Sequence, residues 1–72
     1  MASIAIMIGT LQGTRLLAFS SEREAAIMTE TILRKLDPLT LPVPFWVQCR
    51  DRAVGQRLTD YLAEVQAELL DA

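Results

Sequence analysis

Residues 4–8 read IAIMI, and this short run restricts the possible folds more than any other stretch of the chain. As a strand it alternates, with Ile4, Ile6 and Ile8 on one face and Ala5 and Met7 on the other, so both faces are apolar and both need cover. A helix would have to run on through Gly9 and Gly13, at about 1 kcal/mol of propensity for each glycine. The sequence instead breaks at GTLQGT and resumes with RLLAF. Two strand-like runs around such a stretch predict a hairpin with its turn near Gln12 and Gly13.

Two helices follow from their periodicity. SSEREAAIMTETILRKLD has Ser20 or Ser21 to cap it, the Ser21 to Glu24 spacing of a capping box, acids in its first turn and Arg34 and Lys35 in its last. Its apolar stripe reads Ala25, Met28, Ile32, Leu33 and Leu36, whereas Ile27 falls on the opposite face with Arg23, Glu30 and Arg34. Asp37-Pro38 ends it, because the residue before a proline is driven out of the helical region. PLTLPVP then reads as extended and stiff, leading into FWVQC as a third strand. Asp51 is placed to cap the last helix, whose stripe runs through Val54, Leu58, Tyr61, Leu62, Val65 and Leu69.

The order strand, strand, helix, strand, helix predicts an α/β (α+β) fold, a single small domain over residues 1–72. Its three-stranded sheet carries both helices on one face. Seventy-two residues bury only about 60% of the unfolded surface. With 51% hydrophobic residues, this leaves apolar surface that one core does not cover. The second sheet face is expected to be covered by another subunit.

Most chemistries lack their residues. With no histidine, Ser-His and Cys-His nucleophiles and the usual neutral-pH base are missing. A single cysteine forms neither an internal disulfide nor the common zinc sites, and no calcium-type loop of oxygen ligands is present. Gly9 and Gly13 match neither the dinucleotide pattern, since Leu11 stands where a second glycine belongs, nor the phosphate loop, since Arg15 and Leu16 stand where Lys and Ser or Thr would be. They read as turn glycines. The chain is expected to be no enzyme and to need no cofactor or metal. No positive charge precedes the first apolar run, and polar residues interrupt it before it is long enough to span a bilayer. A cytoplasmic protein is expected.

Two features suggest binding instead. In FWVQC, alternation sends Phe45, Val47 and Cys49 to one face and Trp46, Gln48 and then Arg50 to the other. With the first set in the core, Cys49 is a quiet core residue and Trp46 with Arg50 has the composition of an interface anchor, unless the N-terminal strand covers Trp46. In the last helix, Asp60, Glu64 and Glu68 recur every fourth residue, with Asp71 beyond. Like charges at that spacing oppose helix stability, as do acids near the helix C-terminus. Either they line a solvated face or they form a docking stripe for a basic partner or an antiparallel copy.

The expected function is thus a non-catalytic protein-protein interaction module, a small regulator or inhibitor of a larger protein or a homo-oligomer, most simply a homodimer. Its contact residues would be Trp46, Arg50, Asp60, Glu64, Glu68 and, as an outlier, Ile27. The alternative is a nucleic-acid-associated regulator using Arg50, Arg52 and Arg57 on phosphates, which the net charge of -2 disfavours. An accessory subunit that completes an enzyme's site is a weaker third reading.

Overall fold

The computed structural model describes residues 3–71. β1 (Ile4–Thr10) and β2 (Gly13–Phe19) form the hairpin, followed by α1 (Glu22–Lys35), β3 (Phe45–Cys49) and α2 (Arg52–Asp71). The sheet is antiparallel in the order β2-β1-β3, so the IAIMI strand is central and bonded on both sides. This is the small α+β domain expected from the sequence.

The side chains of β1 define the core. Ile4, Ile6 and Ile8 are buried beneath the helices together with Phe19, Leu33, Leu58, Leu62 and Val65. Each such burial contributes about 1.5 to 3 kcal/mol relative to exposure. The hairpin turns at Leu11 and Gln12, where the Thr10 hydroxyl accepts the Gln12 N–H at 3.2 Å and donates to the Gly13 carbonyl at 2.8 Å. Gly13 takes φ +125°, a conformation open to glycine and strained for other residues.

Ser21 caps α1, its Oγ accepting the Glu24 N–H at 3.1 Å. Among the described residues only this half of the capping box forms. The helix rolls so that Ala25, Thr29 and Leu33 face the core, with Ile32 and Leu36 partly buried beside them. Met28, which the periodicity puts in the stripe, is 48% exposed. The small Ala25 and Thr29 let the backbone approach the sheet, and the longer Met28 is left on the flank. Thr29 is buried, and its Oγ1 has no hydrogen-bond partner among the described residues.

The connection from α1 to β3 is less extended than the sequence implies. Pro38–Thr40 forms a 3-10 turn, because the Asp37 carboxylate accepts the Leu39 N–H at 2.9 Å and proline presets the first φ. The Leu41-Pro42 peptide bond is cis. Asp51 caps α2 as expected, its Oδ1 accepting the N–H groups of Ala53 at 2.9 Å and Val54 at 3.4 Å.

Val43 is held in an unforeseen way. The buried Gln66 of α2 presents its amide edge-on, with Oε1 accepting the Val43 N–H at 2.7 Å and Nε2 donating to the Val43 carbonyl at 3.2 Å. A helix side chain thus takes the place of a neighbouring strand for one residue. Tyr61, assigned to the apolar stripe, is instead 40% exposed on the flank of α2, because its hydroxyl reaches α1.

Gln66→Met keeps the volume but leaves both Val43 groups unpaired, and is expected to lower unfolding stability by about 1 to 3 kcal/mol in urea titration. Thr29→Val removes a buried hydroxyl that lacks a partner, and is expected to raise stability by about 1 kcal/mol in the same measurement.

Candidate functional site

With both helices packed on the isoleucine face, the other face of the sheet has no covering layer among the described residues. The strand registers set its side chains in rows. Met7 is opposite Leu16 on one side and Trp46 on the other, and Ala5 is opposite Ala18 and Gln48. In the next row Gly9 pairs with Thr14 and donates its N–H to the Pro44 carbonyl at 2.9 Å. The Pro44 ring leans over Gly9, where an added Cβ would meet its Cγ at 2.9 Å.

The middle row crosses all three strands with large apolar side chains. Leu16 is 67% exposed and Trp46 54%, with Met7 partly buried between them. None of the paired positions in the three rows carries a charge. Arg50 lies just past β3, where it borders a shallow depression with Ala5, Ala18 and Gln48. The structure therefore leaves Trp46 uncovered by β1, which instead stands beside it.

The other expected contact residues lie on the helical layer. Ile27 is 51% exposed on α1, on the far side of the domain from Trp46. Asp60, Glu64 and Glu68 are all exposed on α2. Asp60 accepts a hydrogen bond from the Gln56 side-chain amide at 2.9 Å, and Glu68 lies 3.8 Å from Arg34 of α1. The expected contacts thus divide between the open sheet face, with Trp46 and, at its rim, Arg50, and the helical layer, with Ile27, Asp60, Glu64 and Glu68.

Several charges link the two helices. Arg57 makes a two-pronged pair with Glu22, both N–O distances 2.8 Å, and Glu30 receives the Tyr61 hydroxyl and the Arg34 guanidinium. The Glu22 carboxyl is held below its ordinary value by its hydrogen bond from Arg57. That of Glu30 is held below its own by Tyr61 first and Arg34 second. The Tyr61 hydroxyl is in turn pushed up by Glu30. Arg57 is therefore already engaged within the fold, whereas Arg50 and Arg52 are exposed and lie outside this network.

A concavity of about 520 Å³ opens between the hairpin turn and the segment after α1. Arg15 and Asp37 are the ionisable groups on its wall, and Asp37 already caps the 3-10 turn. Among the described residues no group of three His, Cys, Asp or Glu could hold a metal ion, and no helix is long and apolar enough to cross a membrane. Comparison with protein-family models, curated proteins and solved structures finds no significant match to this chain.

Sequence reasoning found Trp46 but not Leu16 or Met7 as its companions. The available signal was the hairpin: a turn at Leu11 and Gln12 fixes the register that sets Leu16 against Met7.

The pairing at Glu30 can be read by titration. Tyr61→Phe removes the largest cause of its lowered pKa, so the Glu30 midpoint is expected to rise towards the ordinary carboxylate value in carboxyl-resolved NMR. Because a lowered acid pKa stabilises above the unfolded value and is lost as pH falls through the folded one, the wild type should lose this contribution on acidification, and the variant should lose less.

Proposed function

We propose that this protein is a non-catalytic protein-binding module whose contact surface is the open sheet face. The observation that carries the reading is the Leu16-Met7-Trp46 row, in which two large apolar side chains stand more than half exposed on the two strands that flank β1. Such a face has little affinity for water, and it is held by a sheet rather than by loops, so little ordering opposes its docking. Trp46 is its anchor, with Arg50 a polar contact at the rim.

Charge distribution supports the same assignment. The acids and bases of the domain lie mainly on α1 and α2 and in the segments leading into α2, leaving the row suited to an apolar protein surface. The module would act as a small regulator of whatever larger protein bears that surface. Phosphate recognition has less support, since Arg57 is already paired with Glu22.

Trp46→Ala is expected to weaken partner binding by about 2 kcal/mol or more, roughly 30-fold, with circular dichroism unchanged. Affinity capture from the native source compares wild type with Trp46→Ala, and Ile27→Ala on the helical face serves as the control. Loss of the captured protein with Trp46→Ala but not Ile27→Ala is the expected outcome. Equal capture by all three would overturn the reading.

A further inference from the structure

The two edges of the sheet are finished differently. Just before β3, Val43 has both of its outward backbone groups taken by the Gln66 side chain, which blocks further strand pairing there. β2, GTRLLAF, is seven residues long, contains no proline or lysine and carries one charge, Arg15. Its outer edge has no such guard.

Bonds at the sheet ends show which backbone groups point outwards. Gly9 donates to the Pro44 carbonyl and Ser3 to the Phe19 carbonyl. The first bond makes Gly9, Met7 and Ala5 the β1 residues that exchange hydrogen bonds with β3. By the alternation of an antiparallel ladder, Ile4, Ile6 and Ile8 then bond to β2. The second confirms that the Phe19 carbonyl faces β1. Phe19, Leu17 and Arg15 therefore direct their N–H and C=O groups inwards, and Ala18, Leu16 and Thr14 direct theirs outwards.

We infer that a second copy of this chain pairs with β2 along this edge, antiparallel about a two-fold axis at Leu16. In that register Leu16 faces Leu16 of the other copy and Thr14 faces Ala18, each pair exchanging both N–H···O bonds. Arg15 faces Leu17 rather than another Arg15, so no like charges are opposed.

Met28 supports the same arrangement. It lies two residues, about 200°, from Glu30, which contacts α2 through Tyr61. That places the half-exposed Met28 on the flank of α1 turned away from α2, where a two-fold at the β2 edge brings the two α1 helices side by side. The axis stands perpendicular to the sheet, so all helices share one side. The row then runs unbroken as Trp46, Met7, Leu16, Leu16, Met7, Trp46 across six strands. The pairing stands on backbone geometry, whereas its use as a doubled contact face rests on the binding role proposed above.

The test combines solution mass with amide exchange. Wild type should have the mass of a dimer by light scattering, and the N–H groups of Leu16, Ala18 and Thr14 should exchange slowly. Leu16→Lys and Leu16→Glu should each be monomeric, because like charges then meet at the axis, and an equimolar mixture should recover the dimer mass. Trp46→Ala, distant from the axis, should remain dimeric while losing captured partners. Monomeric wild type, or fast exchange at these amides in a dimer, overturns the edge pairing. A dimer that retains its partners in Trp46→Ala leaves the pairing in place and overturns the binding face instead. Should either Leu16 variant fail to fold, wild-type amide exchange still decides.

Discussion

The fold depends on a central strand that is apolar on both faces. β1 is bonded on both edges, so its backbone is satisfied, and its isoleucines require a cover that only the two helices can supply. In a chain of 72 residues this consumes the whole helical content on one side. Ala5 and Met7 are then left facing outwards, and the strands beside them put Leu16 and Trp46 in line. The exposed row is thus a direct consequence of how the core is built.

The helices are fixed to the sheet and to each other by different means. Apolar burial supplies adhesion but little positional detail. Glu22 with Arg57, and Glu30 with Tyr61, set the helices in lateral register at the surface. Exposed ion pairs of this kind contribute modestly to stability, and their value is more in alignment than in strength. Gln66 and Val43 provide the buried counterpart, indexing α2 against the approach to β3. A one-residue insertion ahead of Gln66 within α2 would turn its amide by about 100° and unhook it.

The elements with strong local signals were legible in the sequence: the hairpin, both helices, the Ser21 and Asp51 caps and the outward placement of Trp46. Those set by tertiary geometry were not. Met28 reads as core by spacing, yet the small residues Ala25 and Thr29 let the helix sit close with a different line inwards. Tyr61 reads as apolar until Glu30 is brought within reach of its hydroxyl. Gln66 follows Val65 of the stripe, and nothing local indicates that Val43, 23 residues earlier, needs its amide. Leu16 and Met7 become partners of Trp46 only through strand register, which a single side-chain pattern does not contain.

Gly9 and Pro44 give the open face a relief as well as a composition. The rows lie about 7 Å apart along the strands, with Thr14, Gly9 and Pro44 on one side of the large row and Ala18, Ala5 and Gln48 on the other. Both flanking rows carry smaller groups than the large row, since in one the Pro44 ring fills the space over Gly9 and the other has methyl groups across two strands. The surface is therefore a ridge running across the strands between two shallow troughs. A flat partner would rock on such a crest, whereas one with a furrow of matching width would seat on it and be held against sliding along the strands. Were such a face to bind, discrimination among apolar surfaces would come mainly from contour, since Thr14 and Gln48 are the polar side chains in its rows.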